Sequence, residues 1–361
     1  MWAFANPVRV AFGAGSVRTV ARQIGSRCWA LVTYDLPAFK QLSDAIAAEA
    51  GPPAVTIDTI VTNPDVIELR DACRQYGRAP RKPEVIVALG GGSVIDAAKV
   101  LAAGGAEFDA VLAHLTRKAP LDPSNFTPII AVPSTAGTGS EVTHWATVWD
   151  REKGNKYSLA HPGLYPEAAI LDPAITVGAP RSLTLATGLD ALSHALESIW
   201  NVSANPVSAN FAVEAAREII DALPRLVDDL TNLDLRSRQA KAALFAGLAF
   251  SNTKTALAHN ISYDITLKNG TIHGIACSFS LPAVMRWSIG VDPTCDANLK
   301  RIFGPDLDAG VSTLRAFLEG LGVSTNPESY GVDTSGWRSL VEKASNGERG
   351  RNFIGRHDLA A

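Results

Sequence analysis

Four side chains in the second half of the chain have the types and spacing to hold one divalent ion: Asp190, His194, His259 and His273. Asp190 and His194 lie in GLDALSHALES, an Ala/Leu-rich stretch with helical character. A separation of four places both on one helix face, a turn apart. His259 lies in TALAHNISYD and His273 in NGTIHGIAC. Asn269-Gly270 should break the helix between them, so His273 is expected to open the next one. Three imidazoles and one carboxylate suit Zn²⁺ or Fe²⁺ and leave a coordination position for a substrate oxygen. A lone histidine on an apolar face is more often a satisfied core residue. An aspartate amid so apolar a helix is harder to explain that way, because a buried carboxylate needs a partner or a cation.

A second group of residues could cradle phosphate. Gly90-Gly91-Gly92-Ser93 follows a strand-like run and precedes a helix-like one carrying Asp96 and Lys99. Glycine lets the backbone approach an anion closely, and the free N–H groups and dipole at a helix start stabilise it. Ser134-Thr-Ala-Gly-Thr-Gly-Ser-Glu141 is expected to repeat this logic at another strand-to-helix turn. A tight turn needing positive φ would explain either loop alone; two loops on neighbouring strands favour a dinucleotide. Neither is the GxGxxG of an ordinary Rossmann unit.

The elements that must position these residues fall into two textures. In the first half, strand-like runs (29–34, 55–61, 84–93 running into the glycine turn, 127–135) alternate with helical ones (to about Ala50, and from Asp65 to Tyr76). This predicts a parallel, doubly wound sheet. From about Pro180, the segments Leu183–Ile199, Pro206–Leu223, Arg236–Phe250 and Thr255–Leu267 read as successive helices. The expected fold is an α/β dinucleotide-binding domain (1–178) with a parallel sheet, followed by an all-α metal-binding domain (179–361). The tail after about Ser345 is polar and Gly-rich.

Composition narrows the function classes. The 361 residues are 47% hydrophobic and 19% charged with net charge −3, so neither a nucleic-acid surface nor a basic membrane anchor is expected. An anionic substrate would need a local cluster of basic residues. Cys28, Cys73, Cys277 and Cys295 are widely spaced without a CxxC pair and read as idle reduced thiols. With neither a signal-peptide pattern nor a long apolar run, a cytoplasmic location is expected.

GGGSVIDAAK, VPSTAGTGSEVT, GLDALSHALES and ALAHNISYDITLKNGTIHG, in that order, resemble the iron-containing (group III) alcohol dehydrogenase family over roughly residues 6–290. The resemblance implies the two-domain fold shared with dehydroquinate synthase, with Asp190, His194, His259 and His273 matching the metal ligands. It implies NAD(H) or NADP(H) as cofactor, contacted at Gly90, Gly91, Gly92, Ser93, Asp96, Thr135, Thr138, Ser140 and Lys156. Asp35, Asn63 and Ser134 complete the candidate cofactor contacts. Residues 146–173 and GIACSFSLPAVM most resemble the phosphonoacetaldehyde reductase branch. That implies metal-dependent reduction of a small anionic aldehyde to 2-hydroxyethylphosphonate, as in phosphonate antibiotic biosynthesis. A maleylacetate reductase-like or general alcohol dehydrogenase and a dehydroquinate synthase-like lyase are the alternatives, and a homodimer is possible.

Three positions depart from the family. Tyr263 stands where many members have a further histidine, making it the candidate for proton transfer. Asp264 replaces the usual proline. Thr33 is followed by Tyr34 and only then by Asp35, which leaves NADH versus NADPH open. Lys254, Lys268, Arg349, Arg351 and Asn352 are the candidate anion anchors. Lys254 leads them because TKTALAHN is otherwise apolar; on a continuous helix it would stand about 140° from His259.

Overall fold

The structure is a computed structural model that describes residues 1–357 and Leu359, apart from the side chain of Lys268. The chain divides into two compact units, an α/β unit (Pro7–Thr135 and Ser140–Thr176) and a helical unit (Met1–Asn6, Ala136–Gly139 and Val177 onward).

The α/β unit is built on β1 (Arg9–Phe12), β2 (Trp29–Val32), β3 (Val55–Ile57), β4 (Val85–Gly90), β5 (Ile129–Pro133) and β8 (Ala168–Leu171). Their order is β1-β8-β5-β4-β2-β3, and every pairing is parallel. Both faces are covered, so β2, β4, β5 and β8 are buried throughout; this is why they read as unbroken apolar runs rather than alternating ones. The helices of this unit are α1 (Val20–Ile24), α2 (Pro37–Ala50), α3 (Val66–Tyr76), α4 (Gly92–Gly104) and α5 (Phe108–Arg117). Asp65 and Glu68 close a reciprocal capping box at the start of α3.

From β2 the chain winds outward to β3 and then returns to the other side through β4. The topological switch point therefore lies between the carboxyl ends of β2 and β4, where open α/β sheets bind ligands. Tyr34 and Gly90–Ser93 stand at those ends.

Three features of the α/β unit differ from the expectation. The second strand-like run (55–61) pairs only over Val55–Ile57 and continues as an isolated bridge between Tyr34 and Thr59. An antiparallel hairpin of β6 (Trp145–Asp150) and β7 (Asn155–Ala160) was not foreseen, nor were the edge strand β1 and the strand β8. The Ser134–Glu141 segment leads into a three-residue 3₁₀ turn, Ser140–Val142, so no helix dipole stands behind this second loop.

The helical unit consists of α6 (Arg181–Ile199), α7 (Pro206–Asp228), α8 (Leu233–Thr253), α9 (Leu257–Asn269), α10 (His273–Ser278), α11 (Leu281–Ser288), α12 (Pro293–Phe303), α13 (Leu307–Gly320) and α14 (Thr334–Asn346). His273 opens α10, as the Asn-Gly break implies. α7 runs on through Pro224. α6 is buried on nearly every side, the mark of a central helix rather than an amphipathic surface one. The polar tail is ordered against this unit: Phe353 is fully buried and bridges Asn201. No helix among the described residues is long and apolar enough to cross a membrane.

Candidate active site

The helical unit gathers the metal-binding residues. α6 carries Asp190, His194 and Glu197 at i, i+4 and i+7, a polar stripe inside an otherwise apolar helix. All three are at least nine-tenths buried. Asp190 Oδ1 lies 3.8 Å from His194 Nε2 and 3.4 Å from His259 Nε2. The His194 ring stacks between Phe250 and His259, with centroids 4.0 and 4.7 Å away. His273, half-buried, meets His259 edge to face at 5.6 Å. The four predicted residues are thus brought into one cluster.

Two residues join them that the sequence reading did not place there. Glu197 Oε2 accepts the His259 Nδ1 proton at 2.6 Å, and Oε1 accepts the His259 backbone N–H at 3.1 Å. A carboxylate on Nδ1 fixes the tautomer and leaves Nε2 as the donor toward the cluster. The signal was present in the sequence as the i+7 member of the stripe begun by Asp190. The other residue is Cys277, one turn after His273 on α10; its Sγ lies 3.5 Å from His273 Nε2. This cysteine is buried against histidines, in contrast to the idle thiol expected.

The electrostatics show a site that draws positive charge. Burial pushes Asp190 up, but His194, His273 and His259 outweigh it and hold the carboxyl below the usual carboxylate range. Burial also opposes the charge on Glu197, and His259 again overcomes it. Burial presses His259 down, yet Cys277, Glu197 and Asp190 raise it well above the usual imidazole value. His194 is pushed down to about 4 by burial and remains neutral near pH 7. Asp190 Oδ1 and His259 Nε2 face each other as fully buried atoms without hydrogen-bond partners. Buried polar atoms of native proteins are rarely left so. Carboxylate, imidazole and thiol donors converging on orphaned atoms fit a divalent transition metal.

In the α/β unit, α4 is capped by Gly91 with no side-chain hydrogen bond and has no acidic residue in its first turn, the kind of helix start that accepts an anion. Ser93 Oγ accepts the N–H of Asn63, which has left-handed φ 58°. The Tyr34 hydroxyl stands close beside this turn, 3.5 Å from where a Cβ on Gly91 would lie. Ser134 N–H donates to Gly90 O at 2.9 Å, tying the two loops together. Asp35 is exposed beyond the end of β2. The Lys156 ammonium lies over the Trp149 ring at 5.2 Å.

Asp96 and Ser140 are engaged with each other rather than left open to a ligand. Ser140 Oγ donates to Asp96 Oδ1 at 2.6 Å, and the Thr147 N–H donates to Oδ2 at 2.8 Å. Lys99, fully buried, donates to Ser140 O, Ser140 Oγ, Thr143 Oγ1 and Trp145 O within 3.2 Å. Gly139, with φ +60°, would set a Cβ 2.7 Å from the Gly247 Cα. Its small size therefore serves helix packing rather than a phosphate. Thr138 lies in the same Ala136–Gly139 stretch of the helical unit.

Among the anion-anchor candidates, Lys254 departs most from expectation. The helix is not continuous: α8 ends at Thr253, α9 begins at Leu257, and Lys254 is an exposed cap with φ 64° and ψ 175°. That conformation is essentially reserved for glycine. Arg349, by contrast, donates from Nη1 to Thr255 Oγ1 at 2.5 Å, and its guanidinium lies 5.7 Å from the Tyr263 ring centroid. Asn352 Nδ2 donates to Thr255 O at 2.8 Å, whereas Arg351 is exposed and bonds Asn346 O. The Lys268 side chain lies outside the described residues. Asp264 pairs with Lys343. Both border a cavity of about 630 Å³ beside α14, also lined by Glu328 and Asp333. None of the candidate metal donors lines it, and its acidic wall suits no anion.

Residues 7–173 match the family described as iron-containing alcohol dehydrogenase, and residues 184–354 match the C-terminal domain of the Fe-containing alcohol dehydrogenase family. The chain is 38% identical over 203 residues to the probable alcohol dehydrogenase EutG of Escherichia coli, covering 56% of this chain and 51% of that protein. It is 36% identical over 262 residues to the phosphonoacetaldehyde reductase of Streptomyces viridochromogenes, covering 69% and 65%. The matched stretch thus spans about half to two thirds of these curated relatives. Among solved structures, sulfoacetaldehyde reductase from Bifidobacterium kashiwanohense in complex with NAD⁺ superposes with a TM-score of 0.89 at 27% identity, over 100% of this chain and 99% of that one.

Proposed function

Because the chain belongs to the iron-containing alcohol dehydrogenase family, we propose that it is a metal-dependent, nicotinamide-linked reductase of a small anionic aldehyde, phosphonoacetaldehyde being the best candidate. The observation that carries the metal-dependent part is the buried Asp190–His259–His273 cluster with its unpartnered Oδ1 and Nε2 atoms. When bound, the metal would polarise the aldehyde carbonyl as a Lewis acid and the dinucleotide would supply the hydride.

The protein's own groups have distinct tasks. Asp190, His194, His259 and His273 are assigned to holding the ion, and Glu197 orients His259. The start of α4 and Gly90–Ser93 are assigned to the pyrophosphate, with Asn63, Ser134, Thr135, Thr138 and Lys156 at the dinucleotide. Lys99, Asp96 and Ser140 hold the backbone of that site in place. Tyr263, one turn after His259 on α9, is assigned to returning a proton to the product oxygen.

Arg349 supports the anionic substrate. Its planar fork offers five donors, suited to a phosphonate or sulfonate. It is held against Thr255 and Tyr263, on the segment that leads into His259. Arg349→Met should raise KM for phosphonoacetaldehyde by roughly 10- to 100-fold and leave acetaldehyde kinetics nearly unchanged. Equal effects on both substrates would remove Arg349 as the anchor. Assays with maleylacetate alongside separate a carboxylate-specific enzyme, and net consumption of NADH or NADPH excludes a lyase, which returns its cofactor unchanged.

A further inference from the structure

Gly274 fixes how α10 meets α6. A Cβ at this position would lie 1.8 Å from Ala186 O, so the two backbones are in direct contact. That contact holds the His273/Cys277 face of α10 against the helix that carries Asp190. On a helix, positions four apart share a face, and Cys277 stands to His273 as His194 stands to Asp190.

The distances then distinguish the donors. One ligand atom each from Asp190, His259, His273 and Cys277 can be chosen so that all four lie within 4.8 Å of one another. Donors bound to a single ion at about 2.0–2.3 Å can be no more than about 4.6 Å apart. These four atoms already nearly span one coordination sphere. His194 is outside this mutually close set, although its Nε2 is 3.8 Å from Asp190 Oδ1. Cys277 is fully buried, with its sulfur 3.5 and 3.6 Å from the two ring nitrogens of His273. Asp190 Oδ1 and His259 Nε2 in the same set lack hydrogen-bond partners.

We propose that Cys277 is a direct metal ligand, giving this protein a mixed carboxylate–imidazole–thiolate site. The inference rests on the reading that the cluster holds a divalent ion, and it changes which ion is favoured. A thiolate is a soft donor and shifts preference toward Zn²⁺ relative to a site of carboxylate and imidazole alone. The thiol proton passes to solvent as the metal–sulfur bond forms. His194, stacked between Phe250 and His259 with its Nε2 3.8 Å from Asp190 Oδ1, keeps its assignment to the same ion, and Cys277 is added to that set.

Cobalt substitution tests this without reference to turnover. The metal-free protein is titrated with Co²⁺ and its absorption spectrum recorded. The expected result is visible d–d bands of a bound ion together with a near-ultraviolet sulfur-to-cobalt charge-transfer band. In Cys277→Ser the visible bands should persist and the charge-transfer band should vanish, while the distant Cys28→Ser keeps both. Zn²⁺ affinity should fall in Cys277→Ser by roughly tenfold or more, with a smaller change for Fe²⁺. Visible bands without charge transfer in the wild type would overturn the Cys277 assignment and leave the metal site standing. Failure of the wild type to bind Co²⁺ at all would overturn the metal site itself.

Discussion

Each unit of the molecule buries a cluster of ionisable groups, and the two clusters are completed differently. Around Lys99 the ammonium meets four oxygens, and both oxygens of Asp96 receive a hydrogen bond. Around Asp190, an acid oxygen and an imidazole nitrogen of His259 face each other with no such bond, although His259 stands between the carboxylates of Asp190 and Glu197. A buried charge whose hydrogen bonds are all made is part of the architecture. A buried cluster with unmatched donors is arranged for something that arrives later. The same residue types therefore serve as framework in the α/β unit and as a ligand site in the helical one.

The largest effect should come from breaking the unmatched cluster. His259→Ala removes the imidazole that both Asp190 and Glu197 face. Turnover should fall by at least about a thousandfold, the scale on which a principal electrostatic contribution is lost. Metal stoichiometry should fall with it, while dinucleotide binding to the α/β unit stays close to wild type by fluorescence titration. Normal turnover of this variant in the presence of a chelator would refute the metal assignment.

The next test concerns which unit feels which perturbation. An ion bound only by the native state stabilises by mass action. Chelation should therefore accelerate amide hydrogen exchange in α6, α9 and α10 and leave α4 and β4–β6 unchanged. Lys99→Met should do the reverse, since it removes the donor that Ser140 O, Ser140 Oγ, Thr143 Oγ1 and Trp145 O share; each hydrogen bond to a charged group lost costs about 1.5–3 kcal/mol. Equal responses of both units to both perturbations, read by exchange mass spectrometry, would erase the distinction drawn between them.

How much of this was legible in the sequence follows from the same physics. The buried parallel strands and central helices were visible because their apolar runs are long and bounded by glycine. Asp190 and His194 were visible because helix periodicity is local, and His273 because Asn269-Gly270 ends α9. The edge strand β1 was not read, since it is short and largely exposed. The break between α8 and α9 was read, as the gap between Arg236–Phe250 and Thr255–Leu267. The left-handed backbone of Lys254 within it was not, because a lysine does not signal a conformation that usually calls for glycine. Glu197 and Cys277 were missed although helix spacing marks both, Glu197 as the i+7 member of the Asp190 stripe and Cys277 as the i+4 neighbour of His273. What spacing within one segment does not report is that α6 brings Glu197 onto His259. Arg349 was named only as one of several tail cations; its place against Thr255 and Tyr263 is a tertiary fact.

The smallest effect is a pH signature confined to the framework cluster. Burial pushes Glu141 up to about 7 from an ordinary value of 4.5, and pushes Lys99 down to about 8 from 10.5. Between 4.5 and about 7 the native state holds a Glu141 proton that the unfolded chain has released, so its stability falls as pH rises. Between about 8 and 10.5 the unfolded chain holds a Lys99 proton that the native state lacks, so stability rises with pH. The α/β unit should thus be least stable near pH 7–8, with Tm recovering by on the order of 5 °C toward either side. Glu141→Gln should flatten the acid limb, and, by removing a carboxylate that holds Lys99 up, should start the alkaline limb at lower pH. Glu141 is buried in the Ser140–Val142 turn beside the Lys99 partner Ser140 and is coupled by charge to Lys99, so chelation should leave this profile unchanged. A Tm profile that moved when the metal was removed would show that the two clusters are coupled.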